Sequence, residues 1–239
     1  MSWIIEEGKM MSKNILGVIL SFLYFFLIIF LSKLLFKKRG EMARKFVHIM
    51  IGNWWLILLA LITETICALI VPTAFVFINY YSVTRDHKNG LLANLERKKG
   101  EKAFSSYGLI LYPISLVIMV VFSYVLTNKH YLGGVGLIVL AYGDGCAALI
   151  GKKWPYGKYC VGRAKKTFSG SLSMFLISSI ILLVYLSIIV GFPIGEILST
   201  IFLTATLSTV AEAITPNGFD NISVPITALM TYLFGLYYL

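Results

Sequence analysis

Long apolar runs alternate with short polar segments along almost the whole chain. A helix needs about 20 apolar residues to cross the hydrocarbon core of a bilayer, and most of the runs have about that length. The pattern predicts an all-α, polytopic transmembrane helix bundle with about eight spans, or seven to nine if the weaker boundaries shift. Thr63-Glu64-Thr65 alone separates the second and third runs, so a tight hairpin must join them. The predicted segments are 15–36, 46–62, 64–83, 107–126, 131–150, 171–190, 194–213 and 222–239.

Composition agrees with a chain that uses the bilayer as its solvent. Of the 239 residues, 58% are hydrophobic and 13% are charged, and the mean hydropathy is +0.83. A soluble domain of this size could not bury so much apolar surface. No internal repeat or low-complexity tract divides the chain, so residues 1–239 are predicted to form a single domain.

The positive charges predict which way the bundle faces. A net charge of +10 would suggest nucleic acid in a soluble protein, but 17 of the 21 Lys and Arg residues lie in the loops 37–45, 84–106 and 151–170. Lys and Arg in short loops stay on the cytoplasmic side, and eight segments place all three loops there. The expected location is therefore the plasma membrane, with no nucleic acid partner. Leu91, Leu92 and Leu95 suggest an amphipathic surface helix in the longest loop.

Asp144 is one of the few ionisable residues within the predicted apolar segments. Asp144 follows Tyr142-Gly143 near the cytoplasmic end of the fifth segment. An ionisable residue in a membrane segment is costly and marks a functional site by default. The alternative is a purely structural pair with a lysine of the adjoining loop.

A glycine- and lysine-rich loop leads into the sixth segment. Lys165, Lys166 and Thr167 come just before Gly170 and Ser171, and such residues at a helix N-terminus can hold phosphate. The spacing is not that of a Walker A loop. An ordinary cytoplasmic basic loop remains the alternative.

The turn between the last two segments carries oxygen ligands and no cation. Glu212, Asp220 and Asn221 suit a hard divalent cation such as Mg²⁺. A Pro/Gly turn in which Asp220 caps the last helix is the alternative reading.

A fourth polar cluster enters the second segment. Arg44, Lys45 and His48 bring two cations and a titratable group to the same membrane level, because positions four apart share a helix face. All four clusters converge at the cytoplasmic end of the bundle. Acidic metal ligands beside lysines favour phosphoryl or nucleotidyl transfer to a lipidic substrate.

The same residues resemble the dolichol kinase, phytol kinase and CTP-dependent diacylglycerol kinase family of membrane lipid kinases. The resemblance spans residues 44 to 225, and its most specific part is the Asp-Asn-x-x-Val-Pro ending. The matching motifs are Arg44-Lys45-x-x-His48, Gly143-Asp144-x-x-Ala147 with Gly151, Lys166-Thr167-x-x-Gly170-Ser171, Glu212, and Asp220-Asn221-x-x-Val224-Pro225.

The resemblance implies transfer of phosphate from a nucleoside triphosphate, typically CTP, to the hydroxyl of a polyprenol, phytol or diacylglycerol. Asp144 and Asp220 are then the expected metal or catalytic carboxylates, and Glu212 completes the site. His48 is a lower-ranked base for the lipid hydroxyl. The family often has Glu where this chain has Ser169, which leaves the role of that acid open. The expected nucleotide- and phosphate-binding residues are Arg44, Lys45, Lys165, Lys166, Thr167, Gly170, Ser171 and Asn221.

Two other functions share some of these features. Phosphatidate cytidylyltransferases resemble the central stretch, but they close with a His-Gly-Gly segment, and this chain has no His after His130. A lipid transporter would place its ionisable residues near the bilayer midplane on repeated, broken helices. Here these residues lie at segment ends.

Overall fold

The protein is described here from a computed structural model, which covers residues 2–37, 40–84, 107–161, 164–216 and 218–238. The surface helix predicted around residues 91–95 lies outside the described residues. The helices are α1 (Ser2–Leu35), α2 (Gly40–Gly52), α3 (Trp54–Leu61), α4 (Thr65–Thr84), α5 (Tyr107–Val120), α6 (Leu132–Ile138), α7 (Gly145–Lys153), α8 (Phe168–Val184), α9 (Ile194–Ile214) and α10 (Asp220–Tyr238).

Several of these helices join into longer spans. Three π-helical segments (Val121–Leu126, Val139–Asp144 and Tyr185–Val190) continue α5, link α6 to α7 and continue α8. Among the described residues, seven helical units are long and apolar enough to cross a membrane. The prediction of an all-α membrane bundle is confirmed. The eighth unit, α10, begins with Asp220-Asn221 and packs mainly against α9.

The tight hairpin predicted between the second and third segments is present. Asn14 of α1 holds it, because its Oδ1 accepts hydrogen bonds from the backbone N–H groups of Thr63 (2.8 Å) and Glu64 (3.1 Å). The Asn14 Nδ2 also donates to Thr63 Oγ1. One side chain thus satisfies backbone groups that a short turn leaves without helical partners.

The second segment differs from the prediction in two ways. It begins earlier, at Gly40, and it breaks at Asn53, where α2 ends and α3 starts. Trp54 and Trp55 follow the break and are fully buried, with their indole N–H groups donating to Ser21 Oγ and the His130 carbonyl oxygen. These tryptophans are therefore core residues of the bundle.

The span from α6 to α7 lies at the centre of the bundle, since 72% of its most apolar stretch is buried inside the protein. Glycines make this packing possible. A Cβ on Gly134 would lie 2.1 Å from the hydroxyl oxygen of Tyr185, and one on Gly136 would lie 2.7 Å from the Pro225 carbonyl oxygen. Such close approach of neighbouring helices is the usual function of small residues in membrane bundles.

The bundle has two chemically different ends. The turns at 62–64, 127–131 and 191–193 lie at one end, where the Tyr124 hydroxyl donates to the Ile62 carbonyl and the Tyr185 hydroxyl to the Tyr131 carbonyl. We call this the opposite end. The C-terminal ends of α1, α4, α7 and α9 lie at the other end, which we call the basic end. There, β1 (Lys158–Val161) and β2 (Ala164–Thr167) form an antiparallel hairpin that the apolar pattern did not predict.

Candidate active site

Three carboxylates from different helices meet at the basic end of the bundle. Asp144, Glu212 and Asp220 each offer an oxygen, and these oxygens lie within 4.8 Å of one another. We call this group the acidic cluster. Asp144 and Glu212 are buried. Residues separated by 68 and 8 positions in sequence thus form one site, as their shared membrane level suggested.

Asp144 contacts two of the three polar groups that α2 brings to this level. Lys45 Nζ donates to Asp144 Oδ2 at 2.8 Å, and His48 Nε2 lies 3.1 Å from the same oxygen. The His48 Nε2 is also 3.1 Å from the Leu140 carbonyl oxygen. Leu140 and Asp144 belong to the π-helical segment, where carbonyl groups shift away from α-helical partners, as often occurs at functional sites.

The β-hairpin brings a second lysine to the acidic cluster. Lys166 Nζ lies 2.6 Å from Glu212 Oε1, and it also donates to the Glu212 backbone carbonyl. Neighbouring residues on a strand point to opposite faces, and Lys165 is exposed whereas the side chain of Lys166 is largely buried. The structure therefore brings Lys166 and Lys45 to the acidic cluster and leaves Lys165 at the surface.

Asp220 and Asn221 reach the site through the turn between α9 and α10. Gly218 has a φ of +85°, a left-handed conformation that favours glycine, and its carbonyl oxygen accepts a hydrogen bond from Asn221 Nδ2. Asp220 lies outside the seven spans. Its burial, and to a lesser degree the negative charge of Asp144, raises the pKa of its carboxyl group to about 6. The predicted capping role is not seen, since the Asp220 Oδ1 accepts only from the adjacent Asn221 N–H among the described contacts.

The start of α8 packs tightly against α7. Thr167 caps α8 by accepting a hydrogen bond from the Gly170 N–H at 3.1 Å. A Cβ on Gly151 of α7 would lie 2.5 Å from Thr167 Oγ1 and 3.3 Å from Gly170 Cα. The motif glycines thus allow the two helices to touch beside the hairpin that carries Lys166.

Protein groups already occupy the backbone donors at the start of α8. The Phe168 and Ser169 N–H groups donate to the carbonyl oxygens of Gly157 and Tyr156, and the Gly170 N–H to Thr167. Ser171 Oγ lies 2.7 Å from the Tyr159 hydroxyl. The Lys166-Thr167-x-x-Gly170-Ser171 motif therefore contributes the lysine side chain to the site, and its hydroxyl and glycine residues hold the hairpin in place.

Ser169, which stands where the family often has Glu, lies outside the acidic cluster. Its hydroxyl donates to the Trp154 carbonyl oxygen at 2.5 Å, in the segment that leads from α7 to the hairpin. Glu212, by contrast, enters the cluster from α9. The acid that this chain uses beside the hairpin lysine is therefore on a different helix from Ser169.

An apolar cavity adjoins the acidic cluster between α1, α2, α4 and α5. Its walls include Arg44 and His48 from α2, Phe25 from α1, and Phe75 and Asn79 from α4. The His48 ring also contacts the Tyr112 ring at 4.5 Å, and the Tyr112 hydroxyl donates to the His48 carbonyl oxygen. Arg44 and His48 therefore share a helix face, as their spacing predicted, and this face borders the cavity.

Sequence reasoning missed Asn79 and Tyr112. Asn79 donates from Nδ2 to the Leu109 carbonyl oxygen at 2.6 Å and is nearly fully buried. Its position inside an apolar segment, Phe77-Ile78-Asn79-Tyr80, was the available signal. Tyr112 carried no such signal, because tyrosine is common in membrane helices.

These features define a class: a polytopic integral membrane protein with a buried site of carboxylates and lysines at one end of its bundle. The chain is 30% identical to a phytol kinase of Synechocystis sp. over 203 residues, which cover 83% of this chain and 81% of that relative. It therefore belongs to the phytol kinase family, and it is a phosphotransferase that acts on a lipid alcohol.

Two plant proteins match shorter stretches of the chain. A probable chloroplastic phytol kinase 2 of Glycine max is 32% identical over 142 residues, covering 52% of this chain and 48% of the relative. A probable chloroplastic phytol kinase of Zea mays is 32% identical over 126 residues, covering 49% and 41%. No family model matches the chain, and no solved structure matches it.

Proposed function

We propose that the protein transfers the γ-phosphoryl group of CTP to the hydroxyl of a membrane lipid alcohol at the cytoplasmic face, with Mg²⁺ bound at the acidic cluster. The observation that carries this proposal is the meeting of Asp144, Glu212 and Asp220 within 4.8 Å, with Lys45 and Lys166 in direct contact with two of them. CTP as donor rests on the family resemblance.

The donor set fits a hard divalent cation. Three ionised carboxylates and two lysine ammonium groups leave one net negative charge when His48 is neutral, and carboxylate oxygens are the ligands that Mg²⁺ prefers. Asn221 adds a buried Oδ1 with no hydrogen-bond partner among the described residues. Asp144 and Asp220 would hold the metal, which when bound neutralises charge on the phosphates of the nucleotide.

The residues of the chain then have separate tasks. Lys45 and Lys166 orient the triphosphate through charge-assisted hydrogen bonds, and Arg44 and the surface Lys165 attract it to the basic end. The lipid oxygen forms a bond to the γ-phosphorus, while the bond from this phosphorus to the bridging oxygen of CDP breaks. The hydroxyl proton passes to a carboxylate, Asp144 or Asp220, or to His48. The products are CDP and a lipid monophosphate.

The substrate is a lipid alcohol of the phytol or polyprenol type, since the relatives bear the name phytol kinase. To test this, the purified protein in lipid nanodiscs is incubated with Mg²⁺, γ-labelled CTP or ATP, and a panel of phytol, polyprenols and diacylglycerol. We expect label in a prenyl monophosphate, with CTP as the better donor.

Other outcomes of this assay contradict separate parts of the proposal. Label released as pyrophosphate would indicate cytidylyl transfer. Equal or faster turnover with ATP would remove CTP as the donor. Full activity in chelator, after removal of Mg²⁺, would remove the metal from the acidic cluster.

A further inference from the structure

The cavity between α1, α2, α4 and α5 has a polar end and an apolar end. Along α2, Arg44 precedes His48 and Ile51, and along α4, Asn79 follows Phe75. Because α2 begins and α4 ends at the basic end, the polar residues of both helices lie on that side. Phe25 and Phe75, whose ring centroids are 4.5 Å apart, line the deeper end.

The polar end contains a buried acceptor, the side-chain oxygen of Asn79, that no group in the described part of the chain uses. A buried polar atom without a partner costs free energy comparable to a lost hydrogen bond. The polar lining by Arg44, His48 and Asn79 therefore favours the hydroxyl of a bound lipid alcohol over its apolar tail at this end of the cavity.

The cavity is short and small. From Arg44 to Ile51 the rise along α2 is about 10 Å at about 1.5 Å per residue, roughly a third of the hydrocarbon thickness. Its volume is ≈ 80 Å³. On the same measure of cavity volume, a group the size of a water molecule needs about 10–15 Å³. The space therefore fits a few carbon groups of one chain.

His48 joins this cavity to the acidic cluster, because it lines the cavity and lies 3.1 Å from Asp144 Oδ2. We propose that the cavity binds the segment of the lipid alcohol next to its hydroxyl. Substrate recognition is then confined to this segment, and the rest of the lipid tail stays in the bilayer. This inference rests on the proposed function, since it locates the acceptor substrate of that reaction.

The first test compares prenyl alcohols of increasing length at equal mole fraction in nanodiscs. We expect kcat/KM to stay within about twofold as isoprene units are added to the far end. An extra methyl group next to the hydroxyl should lower kcat/KM by about tenfold or more, because a tight pocket discriminates at that scale. A kcat/KM that rises with each added unit, or that tolerates the methyl group, would overturn the inference.

The second test fills the cavity from α2. Val47 is a buried residue of its wall, and Val47→Phe should raise KM for the lipid alcohol by about tenfold while KM for the nucleotide stays unchanged. The matched control is Met42→Phe on the same helix, where the side chain is exposed, and both KM values should stay at the wild-type level. An unchanged lipid KM in a folded Val47→Phe variant would contradict the inference.

A third test needs no variant. A prenyl alcohol with a diazirine near its hydroxyl is cross-linked to the wild-type protein, and labelled peptides are identified by mass spectrometry. Label on cavity-lining residues of α1, α2, α4 or α5 supports the inference, and label confined to the rest of the bundle overturns it while the kinase assay stands. Absence of turnover with every lipid alcohol would remove the proposed function and this inference together.

Discussion

Lys45 and His48 both approach the Oδ2 atom of Asp144. Replacing it by Asn keeps the size of the side chain and removes its charge. We predict that Asp144→Asn lowers kcat by at least about 100-fold, the usual effect of removing one preorganised charge from a transition state. The measurement is turnover of labelled nucleotide in nanodiscs.

The control for this prediction is another carboxylate. Glu196 lies in the first turn of α9 at the opposite end and is exposed, so Glu196→Gln should keep full activity. Size-exclusion chromatography should show that both variants insert and fold. An active Asp144→Asn variant would remove Asp144 from the reaction.

The pair of Lys166 and Glu212 allows stability to be separated from catalysis. Both side chains are about nine-tenths buried, and removing one partner of a buried pair costs about 3–5 kcal/mol because the other charge stays uncompensated. We predict that Lys166→Met lowers the thermal unfolding midpoint in nanodiscs, and that Lys166→Met combined with Glu212→Gln restores most of it.

Activity should stay lost in both of these variants, because each lacks the lysine that we place on the phosphates. A stable double variant with wild-type kcat/KM would show that the pair serves folding alone. That outcome would leave Lys45 and Asp144 as the charged groups of the site.

Single residues of the site were predictable to different degrees. Asp144 and Glu212 could be found from sequence, because an acidic residue in or beside an apolar run is rare and energetically costly, which marks a functional site. The difference between Lys165 and Lys166 could not, because it depends on the pairing of β1 with β2, in which Lys166 lies opposite Tyr159. A role for Asn79 could not be predicted without knowing which helices surround it.

At the scale of elements, the contact between α7 and α8 sets the position of the hairpin. Gly151→Ala would place a Cβ 2.5 Å from Thr167 Oγ1, so the cap of α8 must shift. Overpacking costs about 1–3 kcal/mol, and a lost cap about 1 kcal/mol. We predict a lower unfolding midpoint and a reduced kcat, since β2 carries Lys166 next to this cap.

Gly195 provides the matched control for this substitution. It lies in α9 at the opposite end, and a Cβ there would meet nothing within 4 Å. Gly195→Ala should therefore leave kcat unchanged and keep or slightly raise stability, because Ala has the higher helix propensity. Equal behaviour of the two variants would contradict a specific role for the α7–α8 contact.

The helical elements themselves follow from the apolar pattern, whereas their interruptions do not. The thickness of the bilayer sets the length of each span, so runs of about 20 apolar residues in the sequence mark the spans directly. The break at Asn53 and the π-helical segment ending at Asp144 arise from packing between helices, and the β-hairpin is formed by residues that read as an ordinary basic loop. The site depends on two of these features, because the π-helical segment carries Asp144 of the acidic cluster and the hairpin places Lys166 beside Glu212.

At the scale of the whole molecule, charge and chemistry share one end of the bundle. Lys45, Lys152 and Lys166 pair there with carboxylates, Lys152 with Glu41 on α2. The opposite end is tied by neutral hydrogen bonds such as those of Asn14. A triphosphate with several negative charges would therefore be drawn to one end only. This division could be predicted from sequence, because counting cations loop by loop requires no tertiary information.

The orientation of this charged end in the membrane can be tested with native Cys160, which is exposed on β1 at the basic end. In a Cys67→Ala, Cys146→Ala background, a membrane-impermeant maleimide should label Cys160 in inside-out vesicles and leave it unlabelled in right-side-out vesicles. Lys129→Cys, introduced with Cys160→Ala at an exposed position of the opposite end, should give the reverse pattern. If Cys160 reacts from outside, the acidic cluster faces away from cytoplasmic nucleotide. CTP would then have to be abandoned as the donor even though the site geometry and the family stand.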